Sequence, residues 1–398
     1  MSNRWKILAL LFGVRVAMAF QFQAVAALSP FMMESYGIGL ADIGLLIGLY
    51  LSPGIVFALP GGEIGRWFGD KRAVAFGMVL MLAGGVLVAL FPDREAQIAG
   101  RVVAGIGGVI LNVLMSKMVT DWFRDRDLAT AMGIFVNSWP VGIAAALLVL
   151  PVVAERAGLS MALVLVVILV AAGLAALVAL YRVPHGHEPH GRDAPAAVPA
   201  SPPGGGVLAG IVVAGAIWGL YNSGLAMVFG FGPAMLVERG WDAPTASFAT
   251  SIALWIVSLS VPLGGYIADR TGRRDMVLVA GLVGFGGLLW LAPETDAVVT
   301  MFVALGLVGG IAAGPIMSLP ADILAPSVRA RGMGGFFTVY YLSIFVAPAA
   351  AGLLAEKAGD AGAAFVLGSA MLFACLPLLW LFRAGARRLA SQPSSVPS

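Results

Sequence analysis

The sequence predicts an all-α membrane protein: twelve transmembrane helices in two six-helix bundles, related by a pseudo-two-fold axis along the membrane normal. Three observations carry this expectation. Of 398 residues, 60% are hydrophobic and 11% charged, against roughly 25% charged in an average soluble domain. The apolar residues fall into runs of about 20, the length that crosses a bilayer core of ~30 Å. The second half of the chain also repeats features of the first at an offset near 202 residues. A soluble enzyme, a nucleic-acid-binding domain and a secreted disulfide scaffold are excluded. The runs are continuously apolar rather than alternating, which argues against a transmembrane barrel.

The spans follow in order, each bounded by charge or by Gly and Pro. The first, 7–29, follows the basic stretch Met1 to Lys6; no A-x-A-like cleavage site follows it, so it reads as a retained helix. The second, 42–62, ends on Pro60-Gly61-Gly62, and the third, 73–91, follows Gly69-Asp70-Lys71-Arg72. The fourth, 98–118, lies between Arg94 and the basic pair Arg124 and Arg126; the fifth, 128–151, precedes Arg156. The sixth, 159–181, stops at Arg182. The seventh, 207–231, runs toward Arg239, and the eighth, 245–267, ends in a basic loop at Arg270 to Arg274. The ninth and tenth, 276–292 and 297–320, are followed by Arg329 and Arg331. The eleventh, 332–354, precedes Lys357, and the twelfth, 362–382, precedes Arg383, Arg387 and Arg388.

Connections are short except at 182–206, a stretch rich in Pro, Gly and Ala that cannot bury apolar surface. It reads as a cytoplasmic linker between an N-terminal bundle, 1–181, and a C-terminal bundle with a short tail, 207–398. His185, His187 and His190 lie in it and read as solvated loop residues, not metal ligands. Eighteen of the 24 Lys and Arg fall on the side of the termini and four on the other; Arg15 and Arg101 lie inside spans. Such a bias puts both termini in the cytoplasm, with a bacterial inner membrane as the expected location. The net charge of +3 then reports topology and not nucleic-acid binding. Cys375 stands alone, so no internal disulfide or thiol metal site is possible. No P-loop string G-x-x-x-x-G-K-[ST] is present, and the glycines at 281–287 lie in a span and follow no strand, so they read as packing. No cofactor and no metal are expected.

The halves echo one another in detail. Gly105-Ile106-Gly107-Gly108 matches Gly306 to Gly310, and Ala131-Met132-Gly133 matches Gly332-Met333-Gly334. The loop after the eighth span reads Gly265-Tyr-Ile-Ala-Asp269-Arg270-Thr-Gly272-Arg273-Arg274. It resembles the loop signature of the major facilitator superfamily: Gly, three residues, Asp, basic, any, Gly, basic, basic. In the first-half copy Gly62 and Gly69 fit, but Arg66 takes the acidic position and Asp70 a basic one. Arg101-Val-Val-Ala-Gly105-Ile-Gly107-Gly108 resembles a second motif of that family, with Ala104 in place of the usual Gln. Arg15, Pro53, Pro60 and the stretch Asn137 to Gly142 look most like the cyanate permease and nitrate-type small-anion branch. The resemblance implies two bundles rocking about one central site, with spans one, four, seven and ten lining it. It also implies that Asp269 helps latch the bundles in the outward-open state.

Arg15 and Arg101 are the ionisable residues well inside spans, and no Asp or Glu accompanies them there. A charge in a span is expensive, at least ~2.5–3.5 kcal/mol, so it marks a cavity or a function. Arginine without an acidic partner invites an anion, to which it offers a planar fork. Arg15 lies about nine residues past Lys6, or ~13 Å deep. The expected substrate contacts are Arg15, Gln23, Asn112, Asn137, Trp218, Tyr221, Asn222 and Tyr340. The expected gating set is Arg101, Gly265, Asp269, Arg270, Gly272, Arg273 and Arg274, with Arg101 inclined to packing. Arg101, Gly105, Gly108, Asn112 and Ser116 form one stripe at helical spacing, which fits a cavity wall or close helix packing.

The expected protein is therefore a secondary or facilitative transporter of a small anion: cyanate, nitrate-like, or a short carboxylate. It is no enzyme, and its partners are a small molecule and the bilayer, the chain acting as a monomer. No acid sits midway in a span, so exchange or facilitated diffusion fits as well as proton symport, which would need a rim acid such as Glu34, Glu63 or Asp322. The alternative is an exporter of a drug or an uncharged aromatic metabolite, given Trp139, Trp218 and Trp255. A non-transporting receptor is disfavoured by the repeated bundles and loops.

Overall fold

The computed structural model describes residues 3–57, 69–123, 128–182, 205–324 and 329–390. Among these residues there is no strand, and 12 helices are long and apolar enough to cross a membrane. Span one is Asn3–Ala27, span three Asp70–Leu90, span four Arg94–Phe123, span five Leu128–Ala157 and span six Leu159–Leu180. Span seven is Gly205–Glu238, span eight Ala243–Thr271, span nine Arg274–Leu291, span eleven Arg329–Ala358 and span twelve Gly362–Ala390. Most helices run past their apolar runs, because backbone bonding continues into the interface until a cap stops it. Span seven ends before Gly240 at φ 85°, and span eight ends at Gly272 at φ 67°. Asp242 starts span eight by accepting the Thr245 N–H at 2.9 Å.

Two spans are broken where the sequence pattern reads as continuous. Span two consists of Leu40–Leu49 and Gly54–Phe57. Pro53 brings no N–H to the ladder, and the chain turns tightly across Tyr50 to Pro53. Span ten consists of Val298–Gly309 and Ala313–Ser318. Gly310 sits at this break, and Pro315 removes the donor that the Ile311 carbonyl would otherwise receive.

Twelve crossings return the chain to the face it started from, here called the terminal face; the other is the far face. Spans one, four and seven are the most enclosed, with 72%, 61% and 61% of their apolar windows buried, whereas span six has 22%. The first group is central and span six faces the surroundings. The two bundles meet along span two against eleven, span five against eight, and span one against seven. On the terminal face each bundle ties its helices with one cation between two acids. Lys117 pairs with Asp70 and with Asp121, and Arg383 with Asp275 at 2.9 Å and Asp322 at 2.6 Å. The expected linker, with His185, His187 and His190, lies outside the described residues, as do Pro60, Gly62, Glu63 and Arg66 of the first-half loop.

Candidate functional site

The break in span two and the fold of span one explain Arg101. Its Nε donates to the Leu46 carbonyl at 2.8 Å, which the Tyr50 N–H no longer reaches. Its Nη1 and Nη2 donate to the Gln21 and Phe22 carbonyls at 3.1 and 2.9 Å. The guanidinium lies 4.6 Å from the Tyr50 ring centroid, and the residue is 2% exposed. All three nitrogens are engaged, so Arg101 fastens spans one, two and four together. The stripe beside it packs in the same way: Gly105 lies against the Tyr50 carbonyl and Gly108 against Met18 and the Tyr50 ring.

Arg15 is placed differently. Its Nε donates to Asn112 Oδ1 of span four at 3.2 Å, and its Nη1 to the Phe135 carbonyl of span five at 3.0 Å. That carbonyl also accepts from the Ser138 hydroxyl and lies one residue before Val136, whose carbonyl loses its helical donor at Pro140. The guanidinium stands 4.6 Å from the Phe135 ring centroid. Tyr340 and Tyr341 of span eleven come within electrostatic reach of it from the other bundle. Among the described residues no carboxylate pairs with Arg15, and Nη2 takes part in neither hydrogen bond. Arg15 is half-buried.

The wall opposite is aromatic. Trp218 stacks on Tyr221, with centroids 5.6 Å apart at 24°. It also meets Tyr340 at 6.2 Å, and Tyr340 meets Tyr341 at 5.0 Å. A chain of ring contacts thus runs from Tyr341 through Tyr340 to Trp218 and Tyr221. Tyr221 is 2% exposed, and its hydroxyl donates to the Gly309 carbonyl at the break in span ten. Ser260 of span eight serves the same break: its Oγ donates to the Gly306 carbonyl at 2.7 Å and accepts the Gly310 N–H at 3.1 Å. Asn222 donates to the Trp218 carbonyl at 2.8 Å and is half-buried. Asn137 is half-buried, and its side chain makes no hydrogen bond to a described residue. Gln23 is 0% exposed and donates to the Phe229 carbonyl of span seven. The expected contacts therefore divide. Arg15, Asn112, Trp218 and Tyr340 come together and keep open surface, while the Tyr221 hydroxyl and the Gln23 amide nitrogen are already engaged.

Ser260 and Glu356 were not among the residues the sequence pointed to. The Glu356 carboxylate of span eleven accepts the Ala41 N–H at the start of span two, 3.0 Å away, and closes the seam at the far face. Below it, Gly44 meets the Pro348 carbonyl and Gly352, and Gly48 meets the Phe345 carbonyl. The far half of this seam is thus joined backbone to backbone. On the terminal face, Asp269 is exposed and pairs with Arg274 of its own loop at 3.6 Å. Gly272 ends span eight in the left-handed region, and Gly265 is approached by Gly314 of span ten. Arg270 and Arg273 are exposed.

The profile of the Major Facilitator Superfamily matches residues 11–236 and 207–397. The cis,cis-muconate transport protein of Acinetobacter baylyi is 30% identical over 124 residues, a match that spans 30% of this chain and 30% of that relative. Among solved structures, the nucleoside transporter NupG superposes with a TM-score of 0.73 at 15% identity, over 97% of this chain and 99% of that one. A POT family transporter in complex with a thioalcohol-conjugated peptide gives 0.78 at 14% identity, over 96% of each chain. A bacterial homologue of the human lysosomal transporter Spinster, inward-facing and occupied, gives 0.70 at 16% identity over 100% of each. At these identities the structures share the fold.

Proposed function

The chain belongs to the major facilitator superfamily, and from that premise we propose that it carries a small organic anion, with a carboxylate held at Arg15. The observation that carries this reading is the contrast between the two arginines inside spans. Arg101 has every guanidinium nitrogen on a backbone carbonyl. Arg15 has two nitrogens on neutral partners, a third left over, and no carboxylate beside it among the described residues. A permanent cation in a membrane span favours an anion that completes its hydrogen bonding. Of cyanate, nitrate-like ions and short carboxylates, the last gains support from the muconate relative, whose named substrate carries two carboxylates. Trp218 and Tyr340 present flat apolar faces to the rest of such a molecule.

Transport proceeds by rocking of the two bundles about this site. The charge bias supports a cytoplasmic terminal face. The far face, closed here by spans two and eleven, is then the outer one. The rim acids divide: Asp322 is tied to Arg383, Glu34 is exposed, and Glu63 lies outside the described residues. Exchange or facilitated diffusion needs none of them. The second reading, export of an uncharged aromatic compound, rests on the same Trp218–Tyr340 wall and makes Arg15 dispensable. Purified protein in proteoliposomes separates the two. Uptake of labelled cis,cis-muconate, benzoate, cyanate or nitrate that fails with Arg15→Gln supports the anion reading. Flux of an uncharged aromatic compound that survives Arg15→Gln supports the other.

A further inference from the structure

Pro233 lies inside span seven, four residues after Phe229. Proline has no N–H, so the helix offers the Phe229 carbonyl no donor. Gln23 supplies one from the other bundle, Nε2 to oxygen at 2.7 Å. The bond is buried and crosses between spans one and seven. Around it, the Phe22 ring meets Phe229 at 6.1 Å, Tyr50 at 5.6 Å and Trp139 at 5.1 Å. Ile47 of span two fills the space over Gly230. Gln23 stands eight residues beyond Arg15 along span one, ~12 Å toward the far face. Together these groups roof the site. The second polar atom of the Gln23 side chain, Oε1, is buried without a hydrogen-bond partner among the described residues.

Closed, the roof therefore has one cross-bundle bond made and one acceptor bare. Open, water reaches Oε1 and the Phe229 carbonyl alike. An unpaired buried acceptor is unfavourable, so the closed roof is held by the Phe229 bond and loosened by Oε1. We infer that Gln23 is a gating residue that sets the balance between the closed and open far face, and that Pro233 makes the Phe229 carbonyl depend on it. The inference rests on alternating access and not on the identity of the substrate.

The test reads opening directly. Ile47, 2% exposed, is replaced by Cys in a Cys375→Ser background, and the protein is placed in nanodiscs. Alkylation by a membrane-impermeant maleimide is timed with Gln23→Ala, with Pro233→Ala, and with both. Gln23→Ala is expected to speed alkylation about tenfold, the bare Phe229 carbonyl outweighing the Oε1 penalty that the substitution also removes. With Pro233→Ala the helix supplies its own donor to Phe229, so adding Gln23→Ala then changes the rate by less than about threefold. Equal acceleration in both backgrounds would mean that Gln23 only fills space, and no acceleration at all would mean that it latches nothing; either overturns the inference. Gln23→Leu, which keeps the volume, reads the same background dependence if the alanine variant does not purify.

Discussion

Arg15 of span one and Asn112 of span four meet at 3.2 Å, the guanidinium Nε donating to the amide Oδ1. A neutral amide positions the charge without cancelling it. A carboxylate at the same place would position it and cancel it, which yields the first prediction. Asn112→Asp, nearly isosteric, is expected to lower anion uptake at least about tenfold, because an internal carboxylate then competes for Arg15. Asn112→Leu is expected to lower it less and to leave Arg15 open to anions. Initial rates over a range of substrate concentration check both. Equal rates for Asn112→Asp and wild type would remove Arg15 from the site.

Arg101 predicts a stability effect where Arg15 predicts an activity effect. Arg101→Leu leaves the Leu46 carbonyl of span two without its donor and removes the second hydrogen bond of the Gln21 and Phe22 carbonyls, which keep their helical partners. A buried acceptor so exposed costs about 1–3 kcal/mol. Thermal unfolding in detergent is expected to fall by several degrees or more. Arg101→Lys recovers part of the loss, since an ammonium cannot reproduce the planar fork. Arg15→Gln is expected to unfold close to wild type.

The break in span ten gives a third. Ser260→Ala strands both the Gly306 carbonyl and the Gly310 N–H. Tyr221→Phe strands the Gly309 carbonyl and leaves the ring under Trp218 in place. Both are expected to lose about 1–3 kcal/mol of stability. A protein insensitive to both changes would mean that water, and not these hydroxyls, serves the break.

Among the described residues Asp269 pairs within its own loop, with Arg274 at 3.6 Å, in a structure whose far face is closed. If it latches the opposite state, Asp269→Asn slows exchange without changing substrate affinity. Binding measured by calorimetry beside exchange rates in vesicles separates the two effects. A loss of affinity equal to the loss of rate would place Asp269 in the binding step instead.

Much of this was legible in the residues. Spans announce themselves because membrane-crossing helices must be apolar over a fixed length, and Arg15 and Arg101 stand out because charge there is costly. What separates these two arginines was not legible. Nothing near Arg101 in the sequence says that the break at Tyr50 to Pro53 frees the Leu46 carbonyl for it. Tyr221 shares a helical face with Trp218, as the spacing required, yet its hydroxyl belongs to a break in span ten that the pattern read as continuous helix. Gln23 was readable as polar in a span. Its partner depends on Pro233, 210 residues away in the other bundle. Prolines and glycine pairs inside spans two, seven and ten were the signal available, since each frees backbone groups that some side chain must serve.

The most direct test of the central claim is uptake of labelled cis,cis-muconate, with benzoate, cyanate and nitrate beside it. Purified wild-type and Arg15→Gln protein would be compared in proteoliposomes, empty or preloaded with the same anion. Saturable uptake of a carboxylate by the wild type, lost in Arg15→Gln while thermal unfolding stays unchanged, is the predicted result. Undiminished uptake by Arg15→Gln would contradict the account and turn attention to the Trp218 and Tyr340 wall.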